Sequence, residues 1–220
     1  MEAADREQAV EIVLKSTIHA GSLSVPEGAT GIVLFAHGSG SSRLSPRNTL
    51  VAQVLRSGGM ATLLFDLLTE AEDQIYKSRF DIDLLTERLL STTEWLQQQP
   101  QFQELVIGYF GASTGAAAAL KAAATLGSDI RAVVSRGGRP DLAGPDLSRV
   151  QAPTLLIVGG NDDVVIGLNK DAYNKLETTK ELQIVPGATH LFEEPGTLEE
   201  VARLATRWFE RFLTKESKTT

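Results

Sequence analysis

The side chains best suited to chemistry are grouped around one serine, Ser113. It stands at the centre of Gly111-Ala112-Ser113-Thr114-Gly115, after an apolar run and before a run of small residues that favours a helix. A serine in such a strand-to-helix turn is held in strained backbone geometry, with its hydroxyl clear of the sheet. Glycines two positions before and after it leave room for neighbouring backbone. The spacing therefore predicts a nucleophilic serine at the tip of a tight turn.

A serine hydroxyl needs a base within hydrogen-bond reach, and the chain offers three histidines. His190 follows the last predicted strand, where the chain can bring an imidazole back over Ser113, and we predict that it is the base. We expect His37 to lie on a loop that lines an oxyanion hole, and His19 to lie exposed in an N-terminal hairpin.

The imidazole in turn needs a carboxylate that fixes its tautomer and stabilises the imidazolium. Asp162 and Asp163 both follow a predicted buried strand and both precede His190 in the chain. Asp162 is favoured because it lies in the turn directly after that strand, and Asp163 is the alternative.

An oxyanion hole needs two backbone N–H donors that are already in place. The residue after the nucleophile, Thr114, would supply one of them. Ser39 would supply the other, with Gly38 as the alternative, from the glycine-rich loop His37-Gly38-Ser39-Gly40. That loop could also belong to a nucleotide site, but the third glycine of the dinucleotide fingerprint is missing and no Gly-Lys-Ser/Thr follows.

Several arginines flank the predicted site and could bind a substrate carboxylate or phosphate. The alternative is that they are surface side chains paired with Asp141, Asp146 or other nearby acids. The arginines in question are Arg43, Arg47, Arg136 and Arg139.

The elements that must position these groups alternate between apolar strands and amphipathic helices. We predict strands at 31–36, 61–67, 105–110, 130–135, 154–158 and 181–186, after an N-terminal antiparallel hairpin formed by 10–18 and 22–25 around Ala20-Gly21. Helices are predicted at 45–56, 81–98, 114–126, 168–176 and 198–213, and a polar loop at 69–78. This order predicts an α/β protein, with about eight mostly parallel strands, helices on both faces, and the reactive loops at one edge.

Composition excludes other classes of function. The net charge of −7 and the lack of a basic run interleaved with aromatics argue against nucleic-acid binding. The absence of cysteine removes disulfides, thiolate metal sites and a cysteine nucleophile. We expect no metal and no cofactor, and a monomer or homodimer that binds a small molecule.

The N-terminal residues are acidic and polar, unlike a secretory signal, and no apolar run approaches the length of a membrane span. We therefore expect a cytoplasmic protein without membrane contact. At 220 residues, one domain over residues 1–213 with a frayed tail over 214–220 is expected.

Together, the serine turn, the His-Gly loop, the Gly-Gly-Asn-Asp turn and the late Gly-Ala-Thr-His loop resemble the α/β-hydrolase superfamily over nearly the whole chain. The order serine, aspartate, histidine is also the order of that superfamily. The closest resemblance is to the compact dienelactone-hydrolase-like proteins. Only 137–153 separates the sixth and seventh predicted strands, too little for a cap domain, so an open site suited to small soluble esters is expected.

One departure limits what this resemblance implies. Dienelactone hydrolases proper carry a cysteine nucleophile, whereas this chain has none. The resemblance thus implies a serine hydrolase of carboxylic esters, thioesters or lactones, and does not imply dienelactone as the substrate. The alternatives are a non-catalytic binding protein on the same fold, a designed hydrolase on this fold, or an enzyme that uses the same site for amide cleavage or acyl transfer.

Overall fold

The computed structural model describes residues 7–15 and 17–213, which form one eight-stranded sheet in the order β1-β2-β4-β3-β5-β6-β7-β8. The N-terminal strands β1 and β2 pair antiparallel with each other, and β2 pairs antiparallel with β4, whereas all other neighbours are parallel. The strands are β1 (Gln8–Leu14), β2 (Thr17–Ser24), β3 (Gly31–Ala36), β4 (Ala61–Phe65), β5 (Val106–Ala112), β6 (Ile130–Arg136), β7 (Thr154–Gly159) and β8 (Lys180–Val185).

Helices cover both faces of the sheet. One face packs against the first and last helices, and the other against the third, fourth and fifth. The helices are α1 (Pro46–Ser57), α2 (Glu70–Asp73), α3 (Ile82–Gln97), α4 (Thr114–Leu126), α5 (Asp163–Lys175) and α6 (Thr197–Phe212). The predicted α/β-hydrolase fold is therefore confirmed.

Local sequence explains why the central elements form. Every residue of β3, β4 and β7 is buried, as expected for parallel strands covered on both faces. Ser45 caps α1 by accepting a hydrogen bond from the Asn48 N–H, and Pro46 occupies the first turn. The parallel arrangement brings the carboxyl ends of β3 to β8 to one edge, where the reactive loops begin.

The N-terminal hairpin is present, but its predicted turn is wrong. The chain reverses between Leu14 and Thr17, where Lys15 has a φ of 42°, and not at Ala20-Gly21. Gly21 lies inside β2, where an added Cβ would come within 2.9 Å of the Val10 side chain. A glycine at position 21 thus allows close packing inside the sheet, and the sequence alone cannot distinguish such a glycine from one that forms a turn.

Two further segments differ from expectation. The α5 helix begins at Asp163, five residues before the predicted start at 168. The β-branched run Val164-Val165-Ile166 disfavours a helix in the sequence, but the structure accommodates it within α5. The predicted loop at 69–78 contains α2 and most of a 3₁₀ helix, Tyr76–Phe80.

Among the described residues, only the 3₁₀ segment Pro140–Arg149 and short loops join β6 to β7, so no cap domain covers the sheet edge there. The predicted tail at 214–220 lies outside the described residues. None of the helices in the described part of the chain is both long and apolar enough to span a bilayer.

Candidate active site

Ser113 joins the end of β5 to the start of α4 in a strained conformation. Its φ of 51° and ψ of −121° are unusual for a residue with a side chain. Backbone hydrogen bonds hold it on both sides: its N–H donates to the Arg136 carbonyl at 3.3 Å, and its carbonyl accepts from the Arg139 N–H at 3.1 Å. The strain is thus imposed by the neighbouring strand β6 and the loop after it.

The glycines around Ser113 are required by close backbone contacts. A Cβ at Gly111 would lie 2.4 Å from the Ala116 Cα, and one at Gly115 would lie 2.1 Å from the carbonyl oxygen of Ala36. Neither contact can relax by moving a flexible side chain, because both partners are backbone. The turn is therefore packed directly against the end of β3.

His190 and Asp162 are joined by a short hydrogen bond between Nδ1 and Oδ2, at 2.7 Å. Because a carboxylate only accepts, Nδ1 is the donor, and in the neutral ring the Nε2 atom carries the lone pair. The bond is made by Asp162 and not by Asp163, which is the first residue of α5.

Backbone contacts bring these two residues together. Asp162 follows β7 and His190 follows β8, which are neighbouring strands. The Asn161 N–H donates to the Ala188 carbonyl at 2.9 Å, which ties the β7–α5 turn to the loop that carries His190. The Asp162–His190 pair is thus set by the register of two adjacent strands.

Ser113 and His190 line the same cavity of about 220 Å³ at the sheet edge. Among the described residues, no hydrogen bond joins Ser113 Oγ to His190, and such bonds are often long in ligand-free sites. Gly38 closes another wall: an added Cβ there would lie 3.0 Å from the Ser113 Cβ.

The two residues predicted to supply oxyanion donors contact each other. The Ser39 N–H donates to the Thr114 hydroxyl at 3.0 Å. The loop after β3 and the N-terminus of α4 are therefore joined beside Ser113, with the Ser39 N–H held by a side-chain acceptor.

His37 joins that loop to the segment after β4. Its Nε2 accepts from the Leu67 N–H at 3.0 Å, so its own proton must lie on Nδ1, which donates to the Gly38 carbonyl at 3.0 Å. The ring is 6% exposed, and burial lowers the pKa of His37. It is held as a neutral spacer between the segment after β4 and the Gly38–Ser39 peptide.

The four flanking arginines form two groups, of which only one lines the cavity. Arg43 bonds to Asp66, and Arg139 makes two bonds to Asp141 at 2.9 and 2.8 Å, which raise its pKa. Neither contributes to the cavity lining. The remaining pair, Arg47 and Arg136, does line the cavity.

Arg136 and its partners include residues that sequence reasoning missed. The guanidinium bonds to the Asn48 Oδ1 at 3.2 Å and lies 5.9 Å from the centre of the Phe192 ring. Asn48 was visible as a polar residue on the apolar stripe of α1, with Val51 and Leu55. Phe192 gave no comparable signal, although its φ of 56° marks it in the structure.

The expectation that His19 is exposed is wrong. It is 1% exposed and lies on β2, where Nδ1 donates to the Asp66 carbonyl at 2.8 Å and Nε2 bonds to the Thr17 hydroxyl at 2.9 Å. Because the hairpin turn lies earlier than expected, His19 falls inside the strand and faces the core. In the described part of the chain, no group of three or more His, Asp or Glu side chains is placed to hold a metal ion.

Comparison with known proteins identifies similar chains. Residues 29–215 match the model of the dienelactone hydrolase family. A crystal structure of a dienelactone hydrolase from Anabaena variabilis is 56% identical, superposes with a TM-score of 0.93, and covers 95% of this chain and 99% of that one. Est1E from Butyrivibrio proteoclasticus is 15% identical, with a TM-score of 0.78 over 92% of this chain and 98% of that one, which supports the fold alone.

Two curated proteins of Mycobacterium tuberculosis are 59% identical over 204 residues and are provisionally named as phosphoribosyl transferases. The match covers 93% of this chain but 46% of each of those proteins. The chain thus spans about half the length of the curated relatives it matches.

Proposed function

Because the chain belongs to the dienelactone hydrolase family, we propose that it is a serine hydrolase of small soluble carboxylic esters, thioesters or lactones. The observation that carries the proposal is the 2.7 Å bond from His190 to Asp162, which leaves the Nε2 lone pair free in a loop that lines the same cavity as Ser113. Serine-dependent acyl transfer requires such a base beside the nucleophile, so this arrangement supports the proposal.

The proposed reaction begins with attack of Ser113 Oγ on the acyl carbon. His190 Nε2 takes the hydroxyl proton and returns it to the leaving group, while Asp162 holds the imidazole and stabilises its charge. Water then attacks the acyl-enzyme by the same route in reverse, which releases the acid and restores Ser113.

The tetrahedral oxyanion would be stabilised by the N–H groups of Thr114 and Ser39, with Gly38 as the alternative to Ser39. The Ser39 N–H already donates to the Thr114 hydroxyl at 3.0 Å. The oxyanion would therefore have to share that N–H with the hydroxyl or displace the hydroxyl from it. The N-terminus of α4 adds its dipole in the same place.

The test is Ser113→Ala, measured by fluorophosphonate labelling and by hydrolysis of a p-nitrophenyl ester. We expect labelling to disappear and kcat to fall about 10⁶-fold, since the nucleophile is lost. Undiminished turnover in Ser113→Ala would refute the assignment. A wild-type protein that never labels would instead favour a non-catalytic binding role.

The name of the longer relatives refers to a second activity, phosphoribosyl transfer. We propose that phosphoribosyl transfer, if those proteins perform it, belongs to the half of them that this chain does not match. Incubation of this chain with a phosphoribosyl donor and a range of acceptors should then release no diphosphate. Diphosphate release that survives Ser113→Ala would assign the transferase to this fold.

A further inference from the structure

We propose that Asn169, on α5, is a positioning residue for Ser113. Its side-chain amide donates to the carbonyl of the Gly138–Arg139 peptide, and the N–H of the same peptide donates to the Ser113 carbonyl. This inference rests on the proposed hydrolase function and adds a residue that does not line the cavity. The role of Asn169 is to hold the strained backbone that presents the nucleophile.

The peptide between Gly138 and Arg139 forms the link. Asn169 Nδ2 donates to the Gly138 carbonyl at 3.0 Å, and the Arg139 N–H donates to the Ser113 carbonyl at 3.1 Å. Both groups belong to one planar unit, so a shift of the carbonyl also moves the N–H. A hydrogen bond at the carbonyl also polarises the N–H and strengthens its bond. Asn169 therefore acts on Ser113 through a single rigid unit.

Ser113 needs this support because its backbone conformation is unfavourable. A φ of 51° with a ψ of −121° persists in a residue with a side chain only where the surroundings impose it. The Ser113 carbonyl accepts two hydrogen bonds, one from the Arg139 N–H and one from the Ala116 N–H at 3.1 Å. Of these two donors, Ala116 belongs to the first turn of α4, so only Arg139 restrains the carbonyl from outside the turn.

The loop that carries this peptide is tightly packed. An added Cβ at Gly138 would lie 2.0 Å from the Ser135 Oγ and 2.7 Å from the Ala116 Cβ. The loop thus lies directly against β6 and α4. Contacts fix it on that side, and the hydrogen bond from Asn169 fixes it against α5.

The surroundings of Asn169 argue against a role in stability alone. The side chain is 0% exposed, and within the described part of the chain its Oδ1 has no hydrogen-bond partner. A buried amide with an unpaired oxygen costs free energy that an apolar side chain would not. The second Nδ2 bond goes to the Val165 carbonyl at 2.8 Å, which the helix itself can satisfy. The bond to Gly138 is therefore the one that requires an amide.

Asn169 also connects the nucleophile to the acid. The α5 helix begins directly after Asp162, and the Ile166 N–H donates to the Asp162 carbonyl at 2.9 Å. Asn169 lies about two turns further along the same helix. The helix that follows Asp162 and the peptide that holds Ser113 are thus joined by one buried hydrogen bond, which favours a fixed spacing between them.

The first test is Asn169→Ala, which removes the donor to Gly138 without adding bulk. We expect kcat and kcat/KM for a p-nitrophenyl ester to fall together by about 10- to 100-fold, as when a reacting group is misplaced by up to about 1 Å. KM should stay unchanged, because Asn169 does not line the cavity.

Thr154→Val is the matched control. Thr154 is also 0% exposed and donates to a backbone carbonyl, that of Ala152 at 2.9 Å, but it begins β7 at the edge of the sheet opposite the reactive loops. Its loss removes a comparable buried hydrogen bond that has no connection to Ser113. This variant should have a lower Tm and wild-type kcat.

Asn169→Asp gives a readout that a purely structural role would not move. Burial beside two carbonyl oxygens favours a protonated carboxyl group and raises its pKa. The protonated group can donate to the Gly138 carbonyl as the amide does, whereas the ionised group only accepts and repels that oxygen. The ratio of variant to wild-type kcat should therefore fall about tenfold between about pH 6 and pH 9. A constant ratio in a protein that stays folded by circular dichroism would overturn the proposal.

The outcomes separate this inference from the proposed function. The Arg139 amide proton reports on the link without any turnover: its hydrogen exchange should be about tenfold faster than in wild type in Asn169→Ala, and near the wild-type rate in Thr154→Val. Unchanged exchange, wild-type kcat in Asn169→Ala, or equal losses of kcat in the two variants would overturn the positioning role. A wild-type protein that neither labels with fluorophosphonate nor hydrolyses the ester would instead refute the hydrolase, whatever the exchange rates.

Discussion

Two imidazoles lie in loops beside Ser113, and their partners give them opposite properties. His190 donates to a carboxylate, Asp162, and keeps one nitrogen free toward the cavity. His37 lies between a backbone N–H and a backbone carbonyl, so both of its nitrogens are occupied. The side chain is the same, but only one of them is equipped to accept and return a proton.

The comparison shows that the hydrogen-bond partner, more than residue type, decides the role. A carboxylate stabilises the imidazolium, so His190 is suited to become charged for part of a catalytic cycle. A backbone N–H opposes protonation of the atom that faces it, and burial adds to that effect for His37. We therefore propose that His190 transfers protons and that His37 positions the loop proposed to supply an oxyanion donor, and the predictions below test this contrast.

The largest expected effect comes from His190→Gln. Loss of the base should lower kcat for a p-nitrophenyl ester by about 10⁴- to 10⁶-fold, because Ser113 would have no proton acceptor. The free energy of unfolding should change little, since the His190 side chain is 38% exposed. A variant that retains a tenth of wild-type kcat would remove His190 from the mechanism.

Asp162→Asn tests the carboxylate that accepts the hydrogen bond from His190. An amide can donate to Nδ1 and so favours the wrong tautomer, and kcat should fall about 10⁴-fold. Asp163→Asn is the matched control, because Asp163 is the neighbouring carboxylate at the start of α5, and it should keep wild-type kcat. Equal losses in the two variants would contradict the assignment.

His37→Leu tests the other imidazole. It leaves the buried Leu67 N–H unpaired and releases the Gly38 carbonyl, so we expect a loss of about 1–3 kcal/mol in the free energy of unfolding. We also expect kcat to fall about 10- to 100-fold, less than the cost of losing a whole oxyanion donor. Urea unfolding and ester kinetics measure the two quantities.

His19→Leu is the control for that experiment. His19 is buried like His37 and makes two hydrogen bonds, but its Nδ1 donates to the carbonyl of the same Asp66–Leu67 peptide whose N–H donates to His37. Because only His37 also bonds to the Gly38 carbonyl, His19→Leu should lower stability but lower kcat less than His37→Leu does. If both variants lowered kcat to the same degree, His37 would be only a structural residue.

The sequence predicted the fold and the grouping of site residues because those depend on local signals. Buried apolar runs, the glycines around Ser113 and the turn before Asp162 each act over a few residues. It failed where the answer depends on distant neighbours: Gly21 could be a turn or a close strand contact, and His19 was misplaced with it.

The arginines show this limit most clearly. Sequence grouped all four together, but only the structure shows that Arg139 forms an ion pair with Asp141 whereas Arg136 bonds to a neutral amide. The Asn48 partner of Arg136 lies 88 residues away in the chain. Charge compensation is a property of tertiary packing, so no local pattern could have separated these side chains.

The last prediction concerns the pH dependence of stability that the buried imidazoles cause. Burial lowers the pKa of both His37 and His19 below the ordinary histidine value of 6.5, so the unfolded chain binds more protons than the folded one below that pH. The free energy of unfolding should therefore fall as the pH drops from about 6.5 toward 5, with a limiting slope of about 1.4 kcal/mol per pH unit for each histidine.

Acidic side chains with a lowered pKa, such as Glu72, cause a similar loss of stability only near and below their ordinary pKa of 4.5. The loss caused by the histidines between about pH 6.5 and 5 can therefore be measured separately. Urea unfolding at pH 7.5, 6 and 5 should show this loss in wild type. His19→Leu combined with His37→Leu should flatten this dependence on pH. A slope that survives the double variant would mean that the two buried imidazoles are not its source.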